Sequence, residues 1–288
     1  NIFLLKLIYQ EDVKITYDLE IEDNKWSPKQ LILQLKDCKN LFNMKFEVDK
    51  LNWSEWSAKR FEVPKDVKLK YDQLIIPTPE STRLSHFLKI ILKDFGNIIL
   101  IGPTGTGKTM GVIKEINECF SQREFGNIVS NFSGRTHVNF VQRQIEAKMT
   151  TRKGKKGHYG PEDNKNQMVV FIDDVNMPAK EVYGAQPPIE LLRMMLDHGF
   201  WYDLDVLDPK HLKSLNFAAS MGPPSSGRNS VSSRFLRHFF IHFTTPYESK
   251  TLQLIFSSIL DYQFQIASPR FLPSIVALKE NIVSATIE

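Results

Sequence analysis

Residues 102–109 read GPTGTGKT and fit the phosphate-loop pattern G-x-x-x-x-G-K-[ST] in full. Gly102, Pro103, Thr104, Gly105, Thr106 and Gly107 would let backbone N–H groups curl round phosphate oxygens. The N-terminus of a following helix would add partial positive charge. Lys108 is placed to reach β- and γ-phosphates, and the Thr109 hydroxyl to ligate Mg²⁺. A Gly-rich turn that merely packs is the alternative, but it would not need this spacing between an apolar run and a helix.

A second constellation follows in MVVFIDDVN (168–176). An apolar strand ending in an acid is the Walker B pattern, in which Asp173 would hold Mg²⁺ through water. Asp174 stands where a general base would polarise an attacking water. The simpler reading of both is a pair of strand-end aspartates capping a turn. The tip of LNFAASM (215–221) offers Ser220 as a sensor of the γ-phosphate, against plain strand-end packing. In GRNSVSSRFLRHF, Arg234 and Arg237 are three residues apart and share a helical face. Either would serve as an arginine finger toward a neighbouring subunit, or both form a solvated basic surface. The run RKGKKGH (152–158) interleaves cations with glycine and lacks aromatics, so it is predicted to be a flexible loop. The histidines show no metal-ligand spacing.

These residues need a scaffold that brings strand ends together. Pro77 and Pro79 are expected to break regular structure. Leu84, Phe87, Leu88, Ile91, Leu92 and Phe95 then give one apolar helical face, stopped at Gly96. Strands are predicted at 97–101, 127–132, 168–172, 215–221 and 238–243. Helices are predicted from Lys108 to about Phe120, through Val141 and Ile145, and over IELLRMMLDH before Gly199. Apolar strands alternating with helices imply an α/β fold with a doubly wound parallel sheet. Thr245-Pro246-Tyr247-Glu248 reads as a capping box opening a helix through Leu252, Ile255 and Ile259. A further helix is predicted from about Leu272. These two would begin a small helical subdomain that the chain truncates.

Composition limits the classes. In 288 residues the hydrophobic fraction is 42% and the charged fraction 24%, as in an ordinary globular protein. A net charge of +4 is too weak to imply nucleic acid without a concentrated patch. Cys38 and Cys119, the only cysteines, are no disulfide framework, so the chain reads as intracellular. No apolar run nears the roughly 20 residues of a membrane span, and the opening NIFLLKLIY lacks the marks of a signal peptide. The start at Asn1 suggests a fragment.

Taken together, GPTGTGKT, VVFIDDVNMPAKEVYGAQPPIELLRMMLDHGFWYD and SMGPPSSGRNSVSSRFLRHF resemble the third AAA+ module of axonemal dynein heavy chains. The resemblance is densest over about residues 70–265. NMPAKEVYGAQPPIELLR is its most specific stretch, because nucleotide chemistry does not demand that length or composition. The resemblance implies residues 1–75 as the trailing part of a preceding module, 76–245 as the large α/β subdomain and 246–288 as the start of a helical lid. It implies ATP and Mg²⁺, with Lys108, Thr109 and Asp173 in the family's P-loop and Walker B positions. Arg234, with Arg237 second, would serve the preceding module's site. It also implies neighbouring modules of one ring, dynein intermediate and light chains and microtubules as partners of the parent motor, with neither nucleic acid nor membrane, in the ciliary or flagellar axoneme. Two departures stand out. The usual catalytic Glu is Asp174, one methylene shorter, and the usual sensor Asn is replaced within Ser220-Met221-Gly222. Both predict secure binding with slow hydrolysis and a regulatory role. A stand-alone P-loop phosphotransferase, a nucleotide-locked structural domain and a DNA-translocating ATPase are the competing readings. The long NMPAKEVYGAQPP segment and the paired arginines favour a ring subunit.

Overall fold

A computed structural model describes residues 19–21, 24–26, 44–47, 52–57, 74–93, 96–119, 125–152, 156–162, 165–225, 227–267 and 271–287. The opening apolar segment, Cys38, Phe95, the side chain of Cys119 and residues 153–155 of the basic run lie outside them. The chain divides into two compact units, Asn1–Ala58 and Lys59–Glu288. The first contains two antiparallel hairpins, β1 (Leu19–Ile21) with β2 (Asn24–Trp26) and β3 (Met44–Glu47) with β4 (Asn52–Glu55). Phe46 packs on its cross-strand partner Trp53 at 5.2 Å between rings.

The second unit opens with α1 (Pro79–Lys93). Pro79 does not break the chain here; it is the first helical residue, where a missing N–H costs nothing. Thr78 caps the helix reciprocally with Ser81. The Ser81 N–H donates to the Thr78 hydroxyl (3.1 Å), and the Thr78 N–H donates to the Ser81 hydroxyl (2.8 Å). Leu84, Leu88 and Leu92 fall on one face and are buried, each contributing about 1.5–3 kcal/mol.

There follow β5 (Ile98–Ile101), α2 (Lys108–Cys119), β6 (Phe125–Asn131), α3 (Val138–Glu146), β7 (Thr150–Thr151), β8 (His158–Gly160) and β9 (Gln167–Asp173). Then come α4 (Pro187–His198), β10 (Phe200–Tyr202), β11 (Pro209–Leu212), β12 (Leu215–Met221), the short α5 (Ser233–Leu236) and β13 (Phe240–Phe243). Gly199 closes α4 in the left-handed conformation, its N–H on the Met195 carbonyl.

The central sheet has the order β13-β5-β12-β9-β6, and every pairing is parallel. The chain leaves β5 for the far edge at β6, returns through β9 and β12, and crosses to β13 on the other side of β5. Strand alternation sorts two cores. Met168, Val170, Ile172, Phe217 and Ala219 pack with α3, α4 and α5. Val169, Phe171, Ala218, Ile98 and Leu100 pack with α1 and α2. Strands covered on both faces require such continuous apolar runs.

The sheet's amino-terminal edge is tied by buried amides. Gln167 donates to the Leu92 carbonyl (2.8 Å) and to Asn216, and Asn216 donates to the Gly96 carbonyl (2.8 Å). A second, four-stranded sheet, β10-β11-β8-β7, was not predicted; its strands are two to four residues long and carry no periodic signal. His158 of the predicted basic loop lies in it and stacks on His211. Beyond β13 come α6 (Ser249–Ala267), α7 (Pro273–Ala277) and α8 (Lys279–Ile287). Helix α6 begins at Ser249, so the expected capping box at Thr245 does not form. Tyr247 is drawn instead to the loop after β5, where its hydroxyl donates to the Thr106 carbonyl (3.1 Å). Among the described residues, no helix is long and apolar enough to cross a membrane.

Candidate functional site

The loop 102–107 leaves β5 at its carboxyl end, between β12 and β13, where the winding of the sheet changes direction. Ligands of open α/β sheets bind at such switch points. Gly102 is held on both sides: its N–H donates to the Met221 carbonyl (3.2 Å), and Thr244 donates its N–H to Ile101 (2.8 Å). Gly105 (φ +80) and Gly107 (φ +71) adopt left-handed conformations that side chains resist. Among the described residues, the N–H groups of Gly105 through Thr109 find no hydrogen-bond acceptor. That is a row of donors at a helix N-terminus.

Lys108 opens α2 and folds its ammonium into the loop. It donates to the carbonyls of Gly102 (2.9 Å) and Pro103 and to the Thr106 hydroxyl (3.2 Å). Burial lowers its pKa below the ordinary lysine value. The nearby Arg228 cation adds to that shift, and Asp173 and Asp174 oppose it. Thr104 is exposed, whereas Thr106 is buried, with its hydroxyl on the Pro103 carbonyl (3.0 Å).

Strand parity delivers Asp173 to the same place. It follows Val169 and Phe171 on the face covered by α2, so it meets the first turn of that helix. The Thr109 hydroxyl donates to Asp173 Oδ2 (2.7 Å). Ser220 follows Ala218 on the same face of β12, and its hydroxyl donates to Asp173 Oδ1. Asp173 is therefore gripped by two hydroxyls, and Ser220 spends its single proton on it. Asp174 turns away at φ +51, its N–H near Asp173 Oδ1 (3.1 Å) and Ser220 Oγ (3.4 Å).

The structure thus gathers Gly102 through Thr109, Asp173, Asp174 and Ser220 at one end of the sheet. It does not bring Arg234 and Arg237 to that cluster. Arg234 is exposed at the start of α5 and, among the described residues, has no carboxylate partner. Arg237 is engaged with Asp197 of α4.

One site residue was missed: Arg228. A turn closed by the Arg228 N–H on the Ser225 carbonyl (2.8 Å), with Gly227 at φ +83, returns it toward β12. Its guanidinium lies 3.5 Å from Asp174 Oδ1. The loops carrying the two residues are stitched together. Asn176, wholly buried, donates to the Gly222 carbonyl (2.9 Å), and Asn229 donates its N–H to the Asn176 carbonyl (3.1 Å) and its amide to Pro178 (2.9 Å). Gln186 donates to Pro178 as well (2.7 Å), and Lys180 to Ser230 (2.9 Å). The NMPAKEVYGAQ segment therefore braces the loop after β12. The available signal for Arg228 was a lone cation in the loop at the end of the strand beside β5.

Comparison with known proteins agrees with this geometry. Residues 62–247 match the family described as P-loop containing dynein motor region. Dynein axonemal heavy chain 12 of Rattus norvegicus is 39% identical over 238 residues, covering 82% of this chain and 8% of that protein. Dynein axonemal heavy chain 3 of Homo sapiens is 42% identical over 213 residues, covering 74% of this chain and 5% of that one. Dynein axonemal heavy chain 1 of Mus musculus is 35% identical over 292 residues, covering 98% and 6%. The chain spans less than a tenth of the length of these relatives. With its phosphate loop, its paired-acid strand and its five-stranded parallel sheet, the chain belongs to the family of P-loop-containing dynein motor regions.

Proposed function

We propose that this chain is an ATP-binding AAA+ module of an axonemal dynein heavy chain, the third of its ring, with a regulatory, slowly turning-over site. In this reading residues 76–245 form the large nucleotide-binding subdomain, 246–288 belong to the helical lid, and 1–75 to the preceding module and its connection. The observation that carries the reading is the bond from the Thr109 hydroxyl to Asp173 beside the buried Lys108 ammonium. It unites a hard-cation site with a phosphate site in a few ångströms of chain.

The residues fit a magnesium nucleotide. Lys108 and the free amides of Gly105 to Thr109 would hold the β- and γ-phosphates, while Thr109 and Asp173 would hold Mg²⁺. When bound, Mg²⁺ would supply positive charge against the negative charge of the phosphates. Ser220 orients the Asp173 carboxylate through its hydrogen bond. Asp174 would take a proton from water at a carboxylate oxygen. Slow turnover rests on the shorter side chain of Asp174 and on Ser220, whose hydroxyl proton goes to Asp173. Arg234, exposed and without a carboxylate partner, is the better candidate for a finger toward a neighbouring module than Arg237, which pairs with Asp197.

A slow site still does work. At about a hundred times its Kd, ATP would stabilise the binding conformation by about 2.7 kcal/mol. Throwing a two-state element fully needs about 5.5 kcal/mol of differential affinity. The module would bias its ring rather than switch it alone. Neighbouring modules, intermediate and light chains and microtubules would be partners of the whole motor, in the axoneme of a cilium or flagellum.

The test is nucleotide affinity by fluorescent-nucleotide titration, wild type against Lys108→Ala. Loss of a charged phosphate contact should weaken ATP roughly 10- to 100-fold. Unchanged affinity in a folded variant would remove the reading.

A further inference from the structure

Arg228 is a cation outside the phosphate loop that pairs with Asp174 beside it. Three observations define its position. Its guanidinium pairs with Asp174 Oδ1 at 3.5 Å, a long and weak contact for an ion pair. It lies flat against the backbone at the end of β12: a Cβ built on Gly222 would sit 2.8 Å from Arg228 Cδ, Cζ and Nε alike. Its Nε is buried and, among the described residues, has no hydrogen-bond partner.

Each observation has a physical consequence. A buried guanidinium N–H without an acceptor is costly, and an anion arriving beside it recovers that cost. Arginine presents a planar fork matched to phosphate oxygens, unlike the point charge of Lys108. Arg228, through its contact with Asp174, and Lys108, folded into the phosphate loop, bring two cations to one end of the sheet. A second cation beyond Lys108 gives a ligand with one more phosphate one more partner. The arm is also preset, because the Ser225–Arg228 turn and the Asn176 and Asn229 bonds hold its base.

We infer that Arg228 reads the terminal phosphate of the bound nucleotide from within the same chain, exchanging its pairing with Asp174 for that phosphate. This rests on the nucleotide-site reading above and adds to Lys108 a second side chain that separates triphosphate from diphosphate. It also links occupancy to chemistry. While Arg228 holds Asp174, one carboxylate oxygen is engaged by the guanidinium, and a terminal phosphate would free it. Arg228 acts on the ligand and on Asp174 but transfers no proton.

The experiment titrates the 288-residue chain with ATPγS and with ADP, each with Mg²⁺. Arg228→Ala is expected to weaken ATPγS roughly 10- to 100-fold, the worth of one charge-assisted contact, and to leave ADP within about threefold. Arg228→Lys keeps the charge without the fork and should recover part of the loss. Asp174→Asn frees Arg228, so it should tighten ATPγS several-fold more in the wild-type background than in the Arg228→Ala background. Arg228→Ala lowering both nucleotides equally would reduce the residue to a structural brace. Equal affinities before and after the substitution, or an Asp174→Asn effect undiminished without Arg228, would likewise overturn the inference. A wild-type chain that binds neither nucleotide would instead sink the ATP-module reading. Thermal unfolding of each variant without nucleotide checks the fold, and Arg228→Lys supplies the comparison if Arg228→Ala does not fold.

Discussion

Gly102→Ala puts the packing around the phosphate loop to a direct test. A methyl group there would lie 2.0 Å from Thr244 Oγ1 and 2.4 Å from the Thr244 carbonyl oxygen. The hydroxyl can rotate away; the carbonyl belongs to the backbone after β13 and cannot. Ordinary contact begins at 3.4 Å, so that oxygen must retreat by about 1 Å. The movement breaks the bond from the Thr244 N–H to Ile101 (2.8 Å) and strains that from the Gly102 N–H to Met221 (3.2 Å). Two hydrogen bonds at about 1 kcal/mol each, with 1–3 kcal/mol of overpacking, give a loss of about 3–5 kcal/mol. Gly105 is the control. A methyl there meets nothing within 4 Å, so only its φ of +80 resists, at about 1–3 kcal/mol. Urea unfolding followed by the fluorescence of the fully buried Trp201 separates the two. Gly102→Ala costing less than about 1 kcal/mol, or less than Gly105→Ala, would refute the argument.

Two further outcomes follow from buried polar groups. Burial, aided by the Arg83 cation, holds the His242 pKa down to about 4 from 6.5. The unfolded chain therefore binds the proton first: stability is intact above pH 6.5 and falls as pH drops toward 4, by about 3 kcal/mol in all. His242→Phe should flatten the fall of the urea midpoint between pH 7 and 4.5; an unchanged slope would show that His242 titrates normally. Gln167→Leu orphans the Leu92 carbonyl and Asn216 Oδ1 in the core, costing about 2–4 kcal/mol by chemical denaturation. Because this network sits at the opposite end of the strands, nucleotide affinity measured on the folded protein should not change, and a loss there would contradict the placement.

The phosphate loop, the strand that ends in Asp173 and the leucine face of α1 were legible in the chain itself. Each depends on a few consecutive residues: glycines where φ turns positive, an apolar run of strand length, a three-to-four periodicity. The family resemblance rested on the phosphate loop and, more specifically, on the NMPAKEVYGAQPPIELLR stretch, and the family match spans residues 62–247. Proline was misread where context reversed its meaning. Pro79 starts α1 because Thr78 and Ser81 cap one another around it. Pro246 starts nothing, because Tyr247 is claimed by the phosphate loop.

What only the folded chain decided was direction and company. Ser220 and Asp173 face one another because β12 and β9 pair in one register, Ala219 beside Ile172; a shift of one residue would send either side chain into the opposite core. Arg228 becomes part of the site through a turn, a bare glycine and the amides of Asn176 and Asn229, none of which adjoins the loop it serves. Local geometry is written in neighbouring residues, whereas the meeting of charges across strands depends on long-range packing that no short stretch encodes.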